Sequence, residues 1–161
     1  MTRRLFLILS LCFLALSGLH AQSDIVSLSD AIRIFQNPTQ KFANDILTKQ
    51  GYKYKGVTTE FGKEYNWVRN MDLNKDNIPT AFQKGNSSLF LLAADGKTAY
   101  LYIFNNACFL QLQAQAKRLG YSYDTTGKAS GSAMFFIKED APTLTFMKLE
   151  KPLPYCVQIT E

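Results

Sequence analysis

Lys49-Gln50-Gly51-Tyr52-Lys53-Tyr54 and Arg118-Leu119-Gly120-Tyr121-Ser122-Tyr123 share one pattern at a spacing of 69 residues. In each, a basic residue closes a helical stretch. Gly then takes the left-handed position that stops a helix. Tyr-x-Tyr begins an alternation of period two, the mark of a strand. A chain with two such corners passes from helix to sheet twice, which points to an α+β fold.

The stretches around the corners fill in the order of elements. Ser27 or Ser29 can cap a first helix running to about Gln36. Asn37-Pro38 restarts the chain as N-cap and first helical residue of a second helix that ends near Gln50. Strands are predicted over 52–59, 64–70, 87–94 and 98–104, with Asp95-Gly96 as a two-residue hairpin turn. The segment 71–85 reads as a polar loop with a helical turn near Thr80–Gln83. A helix capped by Asn105 or Asn106 runs to Leu119, and strands follow over 121–126, 133–138, 143–149 and 155–160.

Two units therefore align. At an offset of 69, Gly51, Tyr52, Tyr54, Gly62, Val68 and Arg69 meet Gly120, Tyr121, Tyr123, Gly131, Ile137 and Lys138. At an offset of 56, Phe90, Leu101 and Ile103 meet Phe146, Val157 and Ile159. The residues missing from the second unit fall in the loop after Asn70. We expect two tandem repeats, 38–104 and 105–161, each a helix plus four antiparallel strands. Together they would form one curved sheet with helices on one face, as a single domain over 22–161.

That order of elements from Asn37 to Thr160 resembles the tandem layout of the β-lactamase inhibitor protein (BLIP-like) fold, and more distantly PepSY-type modules. The resemblance lies in architecture, without a signature motif. It implies a binding surface on the concave face of the sheet.

Residues 1–21 read as a secretory signal peptide. Arg3 and Arg4 precede an apolar run of twelve, Leu5 to Leu16, and Ser17-Gly18-Leu19-His20-Ala21 offers a cleavage site after Ala21. The run is shorter than the roughly 20 residues of a membrane span. Cys12 follows Leu11, where a lipoprotein cysteine follows a small residue. The Ala21-Gln22 junction resembles exported Gram-negative proteins, so a periplasmic or secreted location is expected. Removing the segment leaves 140 residues, enough for one domain, and lowers the net charge from +5 to +3. The lysines are scattered, which leaves no nucleic-acid footprint.

The sole histidine, His20, lies in that segment. The remaining chain cannot support Ser-His or Cys-His catalysis or a His-ligated metal site. Asp72-Leu73-Asn74-Lys75-Asp76 begins like a calcium loop, but Asn77 replaces the usual Gly and Gln83 the bidentate Glu, so it reads as a solvated turn. Glu60, Glu64, Asp72, Asp76, Glu139 and Asp140 sit near turns, with no spacing that sets two of them across a cleft. The expectation is a non-enzymatic protein with no metal and no cofactor.

The binding candidates come from strand parity. In 98–104 one parity is Ala99, Leu101 and Ile103, and the other is Tyr100, Tyr102 and Phe104. The matching final strand carries Cys156, Gln158 and Thr160 on the second parity, a solvent-like set. Tyr100, Tyr102 and Phe104 are then expected on the uncovered face. Tyr65 and Trp67 join them if Val68, aligned with Ile137, points inward. Such aromatics are frequent interface anchors. Alternatively they fill a core.

Cys108 and Cys156 can form a disulfide in an oxidising compartment or pack as two thiols. A bridge would turn Cys156, and with it Tyr100, Tyr102 and Phe104, toward the helices. The expected function is an exported module that binds a protein or peptide through this aromatic face. The alternative is a structural or assembly protein of the cell envelope, as a homodimer or complex subunit.

Overall fold

The computed structural model describes residues 25–60, 62–75, 79–82, 87–124 and 133–161. The signal-peptide segment lies outside these residues, as do Gly131, Asp76, Asn77 and Gln83 of the motifs above.

Ser27 opens helix α1 (Leu28–Gln36), its hydroxyl accepting from the Asp30 N–H at 3.1 Å. Asn37 does not cap the second helix. Its N–H donates to the carbonyls of Arg33 and Ile34, closing α1. The residue before a proline is disfavoured in helical geometry, so the restart moves past Pro38. Thr39 caps α2 (Gln40–Leu47), accepting from the Phe42 N–H at 3.2 Å. A 3₁₀ turn, Thr48–Gln50, leads to Gly51 at φ 82°, and Gly120 ends α3 (Asn106–Arg118) at φ 87°. Both corners thus take the left-handed geometry their sequence requires.

Ten strands follow in chain order among the described residues: β1 (Lys53–Thr58), β2 (Glu64–Arg69), β3 (Asp72–Leu73), β4 (Pro79–Thr80), β5 (Ser88–Ala93), β6 (Thr98–Ile103), β7 (Ser122–Tyr123), β8 (Ala133–Ile137), β9 (Thr143–Lys148) and β10 (Tyr155–Thr160). Eight form one sheet in the order β1-β2-β5-β6-β10-β9-β8-β7, with each neighbouring pair antiparallel. The protein is α+β. β3 and β4 pair separately, so Thr80 is in a two-stranded ribbon rather than the expected helical turn. The β5–β6 connection spans Ala94–Lys97 rather than two residues, and Gly96 abuts Pro38, where a Cβ would meet the ring at 2.7 Å.

The ladder registers line up residues across the sheet. One row runs Tyr54, Trp67, Phe90, Leu101, Val157, Phe146, Met134. The next row of that parity runs Tyr65, Leu92, Ala99, Ile159, Leu144, Phe136. Both rows face the helices and join Ile34 and Phe35 of α1, Leu47 of α2 and Phe109 and Leu112 of α3 in the main core. Side chains of this size each contribute about 1.5–3 kcal/mol on full burial. Helix α1 wedges between α2 and α3, and the Leu28 N–H donates to Gln115 Oε1 at 2.8 Å.

Two expectations about faces are corrected here. Trp67 is fully buried on the helix-bearing face, its indole N–H donating to Asn44 Oδ1 at 3.2 Å. Tyr65 lies on that same face, packed against the main core. Val68 instead faces away, opposite Leu89. The alignment with Ile137 carried no inward information, because Ile137 is itself exposed. Cys108 and Cys156 are both free thiols. Cys108, on α3, packs toward the main core, whereas Cys156 pairs with Tyr102 in the row facing away from the helices, so the sheet lies between them.

Candidate binding groove on the helix-free face

The opposite face carries two rows of different character. One runs Val68, Leu89, Tyr102, Cys156, Met147, Ala133 and the other Asn66, Leu91, Tyr100, Gln158, Thr145, Phe135. The half built from β2, β5 and β6 is rich in leucine and tyrosine. The half built from β10 and β9 presents Gln158, Thr160, Thr145 and Thr143. The second half, continued by β8, also carries Cys156, Met147 and Phe135, and the leucines and tyrosines of the first half form a contiguous apolar surface.

Part of that surface is covered by the chain itself. Met71 and Leu153 join Val68 and Leu89 in a small second core, with Phe82, Tyr102 and Phe104 packed against it. The ring centroids of Phe82 and Phe104 are 6.0 Å apart. Phe104 is thereby engaged under the segment that follows β2.

What remains is an open groove of about 450 Å³. Its floor is Leu89, Leu91, Tyr100 and Tyr102. Pro79 from the β3–β4 ribbon and the β9–β10 connection, through Leu149, Pro152 and Leu153, complete the apolar lining. The two tyrosine rings stack, with centroids 5.9 Å apart. Gln158 Nε2 donates to the Tyr100 hydroxyl at 3.4 Å. Burial holds the Tyr102 phenol well above its ordinary pKa, so it stays a neutral hydrogen-bond donor.

Glu64 and Glu150 bring carboxyl groups to the groove. Burial raises the Glu64 pKa, and a long contact of 3.5 Å from Thr58 Oγ1 offsets this in part. Asn66 donates to Thr58 Oγ1 at 3.2 Å and to the Glu64 carbonyl at 3.2 Å, fixing this corner. Asp72, by contrast, is held by Lys55 Nζ at 2.6 Å, which lowers its pKa and occupies the first oxygen of the calcium-like stretch. No cluster of three metal-ligating side chains occurs among the described residues.

The structure thus brings Tyr100 and Tyr102 together in the groove, sets Phe104 in the second core, and puts Tyr65 and Trp67 on the other face. Leu89, Leu91 and the β9–β10 connection escaped the sequence reading. The alternation of Leu89 and Leu91 in an all-apolar strand was a signal for them, but not one that says which parity is covered. Among the described residues, no helix is long and apolar enough to cross a membrane.

No protein-family model, no curated protein and no solved structure matches the chain.

Proposed function

We propose that this protein is an exported, non-enzymatic binding module that engages a protein or peptide partner through the groove on its helix-free sheet face. The observation that carries the reading is the groove itself. Tyr100, Tyr102, Leu89 and Leu91 form a contiguous apolar floor that no helix covers among the described residues. Pockets of this size with a few convergent polar groups are the usual form of a binding site. Export to the periplasm or outside the cell rests on the pattern of residues 3–21.

The tandem-repeat reading belongs to the same proposal. Leu101 and Val157, aligned at an offset of 56, oppose each other directly in the β6–β10 ladder. That is where a local two-fold axis between two equivalent units would pass. The corners agree as well. Arg69 approaches Gly51, and Lys138 approaches Gly120 and donates to the Leu119 carbonyl at 2.8 Å, a cation at a helix C-terminus. The copies have diverged by a slip of two residues: Trp67 opposes Phe90, whereas Phe136, its partner at an offset of 69, opposes Leu144. A shift of two keeps every side chain on its face. In this reading the BLIP-like resemblance is one of architecture and of the face used.

The test is site-specific photo-crosslinking in the exporting cell. A benzophenone side chain at Tyr100 is expected to give a discrete adduct, and one at Leu110, exposed on α3, none. No adduct at Tyr100, or equal adducts at both sites, would overturn the reading. The alternative, an assembly subunit or homodimer, is favoured by a different observation. Tyr123 and Ile137 are exposed at the β7–β8 edge of the sheet. It predicts self-adducts from a probe at Ile137 and a concentration-dependent mass in solution.

A further inference from the structure

We propose that the groove takes a peptide segment in which one lysine or arginine is flanked by apolar side chains. This rests on the reading of the groove as the binding surface and specifies its partner. The chain carries 18 basic and 13 acidic residues, yet among the described residues the ionisable groups lining the groove, besides its tyrosines, are Glu64 and Glu150, with no lysine or arginine. Over the described residues the groove is acidic in a basic protein.

Among the described residues, neither carboxylate has a cationic partner. The ion pairs Arg33–Asp30, Lys41–Asp45 and Lys55–Asp72 engage other carboxylates. Glu64 is partly withdrawn from water, and among the described residues its carboxylate has only the long Thr58 hydrogen bond. A carboxylate in that position costs free energy that an incoming cation offsets. The stacked rings of Tyr100 and Tyr102 add a surface that attracts a guanidinium or ammonium group. A free organic amine would answer the carboxylates but leave Leu91 and the exposed Leu149 wet. A basic side chain with apolar neighbours answers both.

The experiment is selection of random decapeptides on the immobilised protein, followed by fluorescence anisotropy with the enriched peptides. We expect enrichment of a basic residue between apolar ones. Affinity should fall about tenfold or more for the double variant Glu64→Gln/Glu150→Gln, and equally when citrulline replaces the peptide's arginine in the unmodified protein. Tyr100→Ala should also abolish binding, with folding of each variant checked by thermal melting. Enriched peptides without basic residues that still require Tyr100 would overturn the cation inference and leave the binding face standing. Enriched peptides indifferent to Tyr100→Ala, or no enrichment at all, would overturn both.

Discussion

Leu101 lies directly opposite Val157 at the centre of the sheet, and both side chains are sealed beneath the helices. Cross-strand neighbours at this range share packing partners. Leu101→Ala should cost about 2–5 kcal/mol. Combined with Val157→Ala, the loss should depart from additivity by about 0.5 kcal/mol or more. A double-mutant cycle in urea measures it, and strict additivity would show that the two sites relax independently.

Trp67 and Tyr102 occupy opposite faces, which separates the main core from the groove. Trp67→Ala empties a fully buried site and strands Asn44, for an expected loss of about 3–5 kcal/mol. Tyr102→Ala removes a half-buried ring from the groove floor and should lower the melting temperature less. Equal losses would mean that Tyr102 serves the core more than the groove.

Tyr52 ties the first corner to the N-terminal segment. Its hydroxyl accepts from the Val26 N–H at 3.1 Å and shares a 2.7 Å hydrogen bond with Ser88 Oγ. Tyr52→Phe should cost about 1–3 kcal/mol, because both partners are buried. Tyr121→Phe at the second corner removes a hydroxyl with no hydrogen bond among the described residues and should be near neutral. Thermal melting of the two variants provides the comparison.

Burial pushes the Cys156 thiol well up, so almost no thiolate is present at neutral pH. Alkylation of Cys156 in the folded protein should therefore be far slower than in urea. Intact mass under non-reducing conditions should show no Cys108–Cys156 bond. A loss of two hydrogens mapped to this pair would contradict the separation of the cysteines by the sheet.

Glu64 carries a pH signature of its own. Burial raises its folded pKa above the unfolded value, so the native state holds this proton more tightly. Its contribution is most favourable below the ordinary carboxylate range and is lost as pH rises through that range to the raised value. Glu64→Gln should remove this part of the pH dependence and leave stability at pH 7 equal or higher. Urea midpoints for both proteins from acid to neutral pH provide the test.

Much of the fold was legible because its signals are local. Ser27 and Asn105 cap helices where the sequence places them, and the bounds of β5, β6, β8, β9 and β10 fall within one residue of expectation. Asn37 misled because a capping residue just before Pro38 serves either the helix behind it or the one ahead. The groove was legible only in part. Tyr100 and Tyr102 were found by comparing β6 with β10, whereas Trp67 was sent to the wrong face by an alignment with the exposed Ile137.

The sequence by itself determined the alternation of helix and strand, the two left-handed corners at Gly51 and Gly120, and the absence of histidine after residue 20. These depend on backbone sterics, capping chemistry and composition, each complete within a few residues. Which parity of an all-apolar strand meets the helices was decided only by tertiary structure. Both parities of β6 are apolar, so period two offered no preference. The choice came from the ladder register with β5 and β10 and from the fit of α1 and α3 onto Leu101 and Val157. The same choice left Tyr100 and Tyr102 facing away from the helices, beside a carboxylate that no local pattern could have brought there.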